Sequence, residues 1–393
     1  MELIMSQAAE KALQRYRQKY SADPELICAA PGRINLIGEH TDYNEGFALP
    51  MAIDLKVWFA VGRQDAPQLS AHALDIDESV DMPFAALHTP PSTPWAAYLG
   101  GILRVWRDEG LAQGCGIRTC FASEIPIGAG LSSSAALGVG FIVGLSALWQ
   151  TPLERLRMAQ MVRLSENRYV GAQCGIMDMY ASLHAHTDCA LLLDCRHLTH
   201  EPVLIPTAGS QFILADTGVK HALANSEYNI RRRECAEAIA LLQTLHPHAH
   251  TLRDLSAAQV QAQRTLLGET LHRRSLYVCS ENERTLAFAR LLGEGKCEEA
   301  GALMALTHAG LRDDYAVSCP EADFLVAQAW ELPGCIGARM MGGGFGGCTL
   351  NWVKDQSAEQ FREALCARFE NAFGRPTRTI TVRSGSPASV QYL

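Results

Sequence analysis

Lysine is scarce in this chain: Lys11, Lys19, Lys56, Lys220, Lys296 and Lys354 are the only ones among 393 residues. Lys plus Arg is 34 against 42 for Asp plus Glu, a formal charge of −8, so no broad nucleic-acid-binding face is expected. No lysine stands in a GxxxxGK[ST] string, which rules out a Walker A loop, and the absence of HRD and DFG strings rules out the protein-kinase pattern. The thirteen cysteines include no CxxC pair; the nearest spacings, Cys115 to Cys120 and Cys189 to Cys195, fit neither a zinc ribbon nor a redox motif. No apolar run reaches the roughly 20 residues of a membrane span. The longest uncharged one, residues 135–149, carries Gly138, Gly140 and Gly144 and predicts a buried helix. The first twenty residues lack the apolar core of a signal peptide, and Glu10, Lys11, Arg15 and Arg17 fit an exposed amphipathic helix instead. An odd cysteine count without an export signal predicts reduced thiols in a cytoplasmic protein.

What is present is the balance of a folded globular chain, 48% hydrophobic and 19% charged, long enough for two or three domains of roughly 150 residues. Alternating segments at 26–30, 47–51 and 55–61 predict a mixed sheet with a long loop inside it. Trp95, Tyr98, Leu99, Ile102, Leu103 and Trp106 recur at helical spacing over 95–108. A strand at 116–122, the buried helix, a helix over 153–168 and strands at 189–194 and 211–216 follow. Beyond them the chain turns helix-rich, with candidates at 227–245, 281–292, 297–312 and 321–330. The composition shift near residue 205 divides the chain into 1–205 and 206–393, with no internal repeat or low-complexity tract.

Three glycine-bearing loops could carry chemistry. The third, through Gly342, Gly344 and Gly347, has the letters of GxGxxG but precedes a strand, not a helix, so a dinucleotide fold fails on context. The second, PIGAGLSSSAAL at 126–137, has the physics of anion binding: glycines for close backbone approach and serines at a helix N-terminus. The same features also suit a plain helix cap. Glu166 and Asp178 downstream are acids that could serve a triphosphate as magnesium ligand or base, or be ordinary surface carboxylates. The first loop, PGRINLIGEHTDYNEG at 31–46, concentrates Arg33, Glu39, His40, Asp42 and Asn44. That density of donors and acceptors suits a polyhydroxyl ligand, or a solvated polar turn. HPHAH at 246–250 is broken by Pro247 as a metal site, and of Arg231, Arg232 and Arg233 at most one can reach a cleft from a helix.

Taken together the three loops resemble the GHMP kinases, and among them the galactokinases. GARMMGGGFGGC at 337–348 looks like the third family motif, and CGIMD at 174–178, NSEYNIRRREC at 225–235 and THAGLRDDYAVSCPE at 307–321 extend the match. The resemblance implies a two-domain α+β architecture, with a ribosomal-S5-like N-terminal domain, a ferredoxin-like C-terminal domain and the active site in the cleft between them. The third glycine-rich motif falls at 341–347 in the second domain. The implied activity is transfer of the γ-phosphoryl of Mg-ATP to O1 of D-galactose, with neither nucleic acid, membrane nor protein partner implied. An enzyme for N-acetylgalactosamine or another hexose, and a non-catalytic galactose sensor, are the alternatives. By the same resemblance Asp178 would accept the proton of the anomeric hydroxyl and Arg33 would stabilise the transition state. Glu39, His40, Thr41, Asp42, Gly175 and Tyr228 would hold the sugar. Gly128, Ala129, Gly130, Leu131, Ser132, Ser133 and Ser134 would hold ATP, with Trp95 near adenine and with Ser134 and Glu166 on magnesium. The residue after Asp178 is Met179, where many members have Gln.

Overall fold

The computed structural model describes residues 5–89, 91, 93–111, 114–126, 128–171, 173–206, 208–219 and 224–393. Residues 1–4 of the N-terminal segment, Ile127 of the second loop and Lys220 lie outside the described residues. The first half runs α1 (Gln7–Tyr20), β1 (Leu26–Asn35), β2 (Phe47–Ala48), β3 (Pro50–Gln64), β4 (Gln68–Ala73), β5 (Glu78–Pro83), α2 (Pro94–Asp108) and β6 (Gly116–Ser123), then α3 (Ser133–Leu148), α4 (Arg155–Ser165), α5 (Met177–His184), β7 (Cys189–Asp194) and β8 (Thr199–Leu204). There follow β9 (Ser210–Asp216), α6 (Ala224–Leu242), α7 (Ala257–Gln261), α8 (Arg264–Gly293), α9 (Cys297–Ala309), α10 (Pro320–Glu331), β10 (Cys335–Met340), β11 (Cys348–Lys354), α11 (Ala358–Phe373), β12 (Thr379–Val382) and β13 (Ser389–Tyr392).

A six-stranded sheet in the order β13-β1-β3-β6-β4-β5 forms the first layer, mixed because β4 and β6 are parallel and the other pairs antiparallel. Alternation along β1 serves two cores: Leu26, Cys28 and Ala30 face the main one, while Ile27 and Ala29 face α1. Helix α1 is therefore less exposed than its charges predict, because Ala8, Ala9, Ala12, Leu13 and Tyr16 cover the back of the sheet. The segments expected at 47–51 and 55–61 are mostly one strand, the fifteen-residue β3. Helix α3 is apolar on every side and lies inside the main core, as its sequence predicts. A Cβ at Gly140 would sit 2.6 Å from the Phe59 ring, so the glycine there permits α3 to approach β3 closely.

A second, antiparallel sheet, β10-β11-β9-β12, is packed by α9, α10 and α11, and a small sheet β2-β7-β8 braces the first loop. The last strand, β13, crosses back to pair with β1 at the edge of the first sheet. The sequence reading missed β4, β5, β8, β10, β12, β13, α5, α7 and α11, most of them short or too mixed in composition to stand out, and saw only the C-terminal part of α8.

The packing at α3 predicts that Gly140→Ala destabilises the protein by about 1–3 kcal/mol, the usual cost of overfilling a tight core. Gly293→Ala, at the open end of α8 where an added Cβ meets nothing within 4 Å, serves as the control and should not lower stability. Melting curves of both variants check this; an equal or smaller loss at Gly140 would contradict the close approach.

Candidate active site

Three segments converge on a cavity of about 240 Å³ whose wall includes Arg33, Glu39, His40, Asp42, Asp178 and Tyr228. Strand β1 carries Arg33 just past a shift in its register with β3, which falls between Pro31 and Arg33. A Cβ at Gly32 would lie 2.6 Å from the Leu131 carbonyl, and the Arg33 amide donates to that same carbonyl at 3.1 Å. The first loop is thereby stitched to the second. From there Arg33 Nη1 donates to the Gly130 carbonyl at 2.8 Å, while Nε and Nη2 both reach Asp178 Oδ1 at 2.9 Å. Asp178 stands in the first turn of α5, and its other oxygen accepts Ser132 Oγ at 2.5 Å.

That last bond bears on the helix-cap reading of the second loop. Ser132 is the N-cap of α3, but it sits at φ 58°, ψ 43° and makes no side-chain cap bond. Its hydroxyl is committed to Asp178, so α3 begins without the side-chain cap that a purely structural role would supply. Gly128 (φ 81°) and Gly130 (φ 71°) carry the chain into this turn, Ala129 and Leu131 anchor it in the core, and Ser133 and Ser134 follow as the first residues of α3.

Residues 39–42 are built by buried polar contacts. Glu39 Oε1 accepts Arg339 Nη2 at 2.9 Å and the Gly342 amide at 2.7 Å, joining the first loop to the third. Burial pushes this carboxyl up, but the charges of Arg339 and Arg33 and the Gly342 amide outweigh it and hold it below its ordinary range. His40 adopts φ 61°, bonds Tyr43 Oη through Nδ1 at 2.9 Å, and is pushed down to about 4 by burial, hence neutral at physiological pH. Asp42 is pushed up to about 6 by burial and by the neighbouring charge of Asp178. A Cβ at Gly175 would lie 1.6 Å from Asp42 Oδ2, so glycine there is what makes room for the carboxylate. Thr41 is fully buried and spends its hydroxyl on the carbonyls of Gly38 (2.9 Å) and Phe47 (2.7 Å); it shapes the loop and does not line the cavity.

Glu166 opens a π-turn (Glu166–Val170) and lines the same cavity as Ser134. Its Oε2 takes the Cys174 thiol at 3.6 Å, whereas Oε1 is buried with no hydrogen-bond partner. Burial and the nearby Asp178 push its carboxyl up to about 8. Beyond Ser134 and Tyr98 a second, apolar cleft of about 290 Å³ opens beside Trp95, Ile125 and Leu137. Tyr98 and Ser134 line both spaces, so a polar chamber and an apolar one meet at the start of α3. Trp95 packs edge-on against Phe121 and donates from Nε1 to Glu78 at 2.8 Å.

Known proteins are similar to this chain over most of its length. A galactokinase of Roseiflexus sp. (strain RS-1) is 40% identical over 369 residues, covering 94% of this chain and 93% of the relative. The chain belongs to the galactokinase family. A galactokinase of Chloroflexus aggregans is 37% identical over 97% of this chain and 96% of its own. The galactokinase galactose-binding signature matches residues 14–63, and the GHMP kinase N-terminal and C-terminal models match 97–186 and 288–371. The crystal structure of Lactococcus lactis galactokinase complexed with galactose superposes with a TM-score of 0.92 at 30% identity, over 96% of this chain and 98% of that one. The chain is thus an ATP-dependent sugar kinase of the two-domain α+β GHMP fold.

Several residues around the cavity escaped the sequence reading. Arg339 is fully buried and donates to the carbonyls of Leu36 (2.9 Å), Met340 (2.8 Å) and Asn35 as well as to Glu39. A lone cation in the otherwise apolar β10 was the signal for it. Tyr43 and Tyr315 share a hydroxyl contact of 2.8 Å behind His40, and Tyr315 lay inside a quoted motif without a role. Of the three arginines on α6, Arg231 is buried on the carbonyls of Tyr315 and Ala316, and Arg232 bonds the Gln173 carbonyl beside the cavity. Met179 is buried in the main core. Among the described residues no group of three or more His, Cys, Asp or Glu side chains is arranged to hold a metal, which leaves HPHAH without a partner set.

The raised Glu166 carboxyl sets a pH dependence. The native state holds this proton up to about 8 while the unfolded chain loses it near 4.5, so ionisation costs stability as pH rises across that window. Glu166→Gln removes the cost. Its melting temperature should gain on the parent progressively between pH 5 and pH 8, and a constant difference across that range would show that Glu166 titrates normally.

Proposed function

We propose that this sugar kinase transfers the γ-phosphoryl of ATP to O1 of D-galactose, giving galactose 1-phosphate and ADP. The observation that carries the reading is the Arg33–Asp178–Ser132 constellation, which stands where the polar chamber meets the start of α3. In phosphoryl transfer the protein mainly positions reactants and stabilises charge. Asp178 orients the anomeric hydroxyl and accepts its proton, and Arg33 keeps the carboxylate in place and balances charge on the transferring group. The sugar is read by Asp42, His40, Glu39 and Tyr228, with Gly175 giving Asp42 its space. The phosphates take the turn from Gly128 to Ser134 and the start of α3, and the adenine takes the apolar cleft beside Trp95. We place the working boundary between the two lobes at residues 205 and 206, with the cavity between them and β13 returning to the first.

The residues present also fit a magnesium ion. Magnesium prefers one or two carboxylates plus substrate phosphates and water, and Glu166 offers a buried oxygen without a partner next to Ser134. When bound, the ion supplies positive charge to the β- and γ-phosphates. The cytoplasm is the proposed location; among the described residues no helix is long and apolar enough to cross a membrane.

Purified protein should release ADP from Mg-ATP with D-galactose in preference to D-glucose and N-acetylgalactosamine. Release with another sugar but not with galactose would overturn the substrate assignment. Asp178→Asn should lower kcat by about 10²- to 10⁴-fold while galactose still binds, because the amide keeps hydrogen bonds but takes no proton. Turnover close to that of the parent removes Asp178 from the reaction.

A carboxylate that accepts from the axial O4 hydroxyl loses its partner in the C4 epimer, and sites built on such bonds reject the epimer strongly. Asp42→Ala should therefore cut kcat/KM for galactose more than for glucose. In the parent, galactose affinity should weaken as pH falls through about 6, where Asp42 gains its proton. An unchanged galactose-to-glucose ratio in the variant would reduce Asp42 to a turn residue.

A further inference from the structure

Helix α8 contributes no residue to the cavity wall, yet it holds the first loop at both ends. Glu281 is fully buried, and its Oε1 accepts the Gly38 amide at 2.9 Å. Thr307 Oγ1 and Arg284 Nε, at 2.9 and 2.8 Å from Oε2, fix the carboxylate from behind. One residue on, Asn282 Oδ1 accepts the Phe47 amide at 2.9 Å, and a turn earlier the Tyr277 hydroxyl donates to the Glu39 carbonyl at 3.1 Å. These three contacts bracket residues 39–46, the stretch that presents Glu39, His40 and Asp42.

The bracket matters because the loop does not adopt this shape cheaply. Gly38, His40 and Glu45 have φ of 90°, 61° and 58°, and a left-handed backbone at two non-glycine residues persists only where surroundings enforce it. Within the loop, the Thr41 hydroxyl spans the Gly38 and Phe47 carbonyls, so the two ends are tied to each other as well as to α8. A charged acceptor on a buried amide is among the stronger ways to pin a backbone. Arg33, Asp178 and Ser132 receive nothing from α8 and are held by β1, α5 and the second loop.

We infer that Glu281 and Asn282 are positioning residues for the sugar site: they fix the backbone at residues 38 and 47 and so place His40 and Asp42 without touching substrate. The kinetic side of this inference rests on the proposed function. Asn282→Leu removes the Phe47 acceptor at similar volume, whereas Asn282→Asp keeps it. In Asn282→Leu, galactose KM should rise by about tenfold or more, with ATP KM and kcat within about threefold of the parent, because only the sugar-side groups move. Backbone amides of residues 38–47 should exchange hydrogen faster and those of α3 should not. Asn282→Asp should restore the parental galactose KM to within about threefold. Glu281→Gln, which keeps an oxygen for Gly38 but loses the charge, should raise galactose KM in the same direction and stands in if Asn282→Leu does not fold.

A folded variant with galactose KM unchanged, an equal rise in the two KM values, or unchanged exchange at 38–47 would overturn the inference. If the parent releases no ADP with galactose, the proposed function fails by itself. The exchange measurement then still decides whether α8 holds the loop.

Discussion

The ion pair between Glu39 and Arg339 is the contact on which the site depends. Both side chains are removed from water, and an uncompensated charge there would be strongly destabilising. Every partner that compensates them is a piece of the site's frame: the Asn35 and Leu36 carbonyls at the end of β1, the Met340 carbonyl at the end of β10, and the Gly342 amide at the start of the third loop. Satisfying two buried charges therefore forces the first and third loops into register. The third glycine-rich motif resembles a nucleotide-binding string in letters only; one of its amides is an internal ligand for a carboxylate 303 residues away in the chain.

Backbone strain accumulates where this frame meets the cavity. Ser132 and His40 both occupy the left-handed region that favours glycine. In each case the unusual backbone accompanies a polar contact: Ser132 reaches Asp178, and His40 bonds Tyr43 with its ring among Tyr43, Tyr228 and Tyr315. Residues held this way by surrounding contacts cluster at functional sites. The neutral imidazole and the protonated phenols around it are mutually consistent, since burial disfavours charge on all of them.

Much of this was legible in the sequence, and the reasons are local. Helix α2 announced itself through apolar spacing, α3 through a run of small and apolar residues without charge, and the first two loops through polar groups packed between glycines. The identity of Asp178 as Arg33's partner was not legible from spacing, because 145 residues separate them; the family resemblance gave each a role in the reaction, and the fold brings them into contact. Arg339, Tyr315 and Glu281 were missed for a shared reason. Each acts through a contact across more than 25 residues, on an element whose own pattern is that of an ordinary strand, turn or helix. Thr41 shows the opposite failure: it sits among ligand-like residues, yet its hydroxyl serves the backbone of its own loop.

The return of β13 to β1 has a consequence for how the molecule is made. Strand β1 leaves the ribosome among the first forty residues, but its outer edge is paired only by residues 389–392. At a synthesis rate of roughly 5–20 residues per second, β1 spends roughly 20–70 s as an uncovered edge. An open edge in a nearly finished sheet is a template for pairing with another chain. The sequence of β1 blunts that risk, because Pro31, which has no amide hydrogen to offer, stands two residues past Ala29, the last residue that β13 will cover. The proline two residues before Arg33 thus also limits the stretch of edge open to misassembly during synthesis.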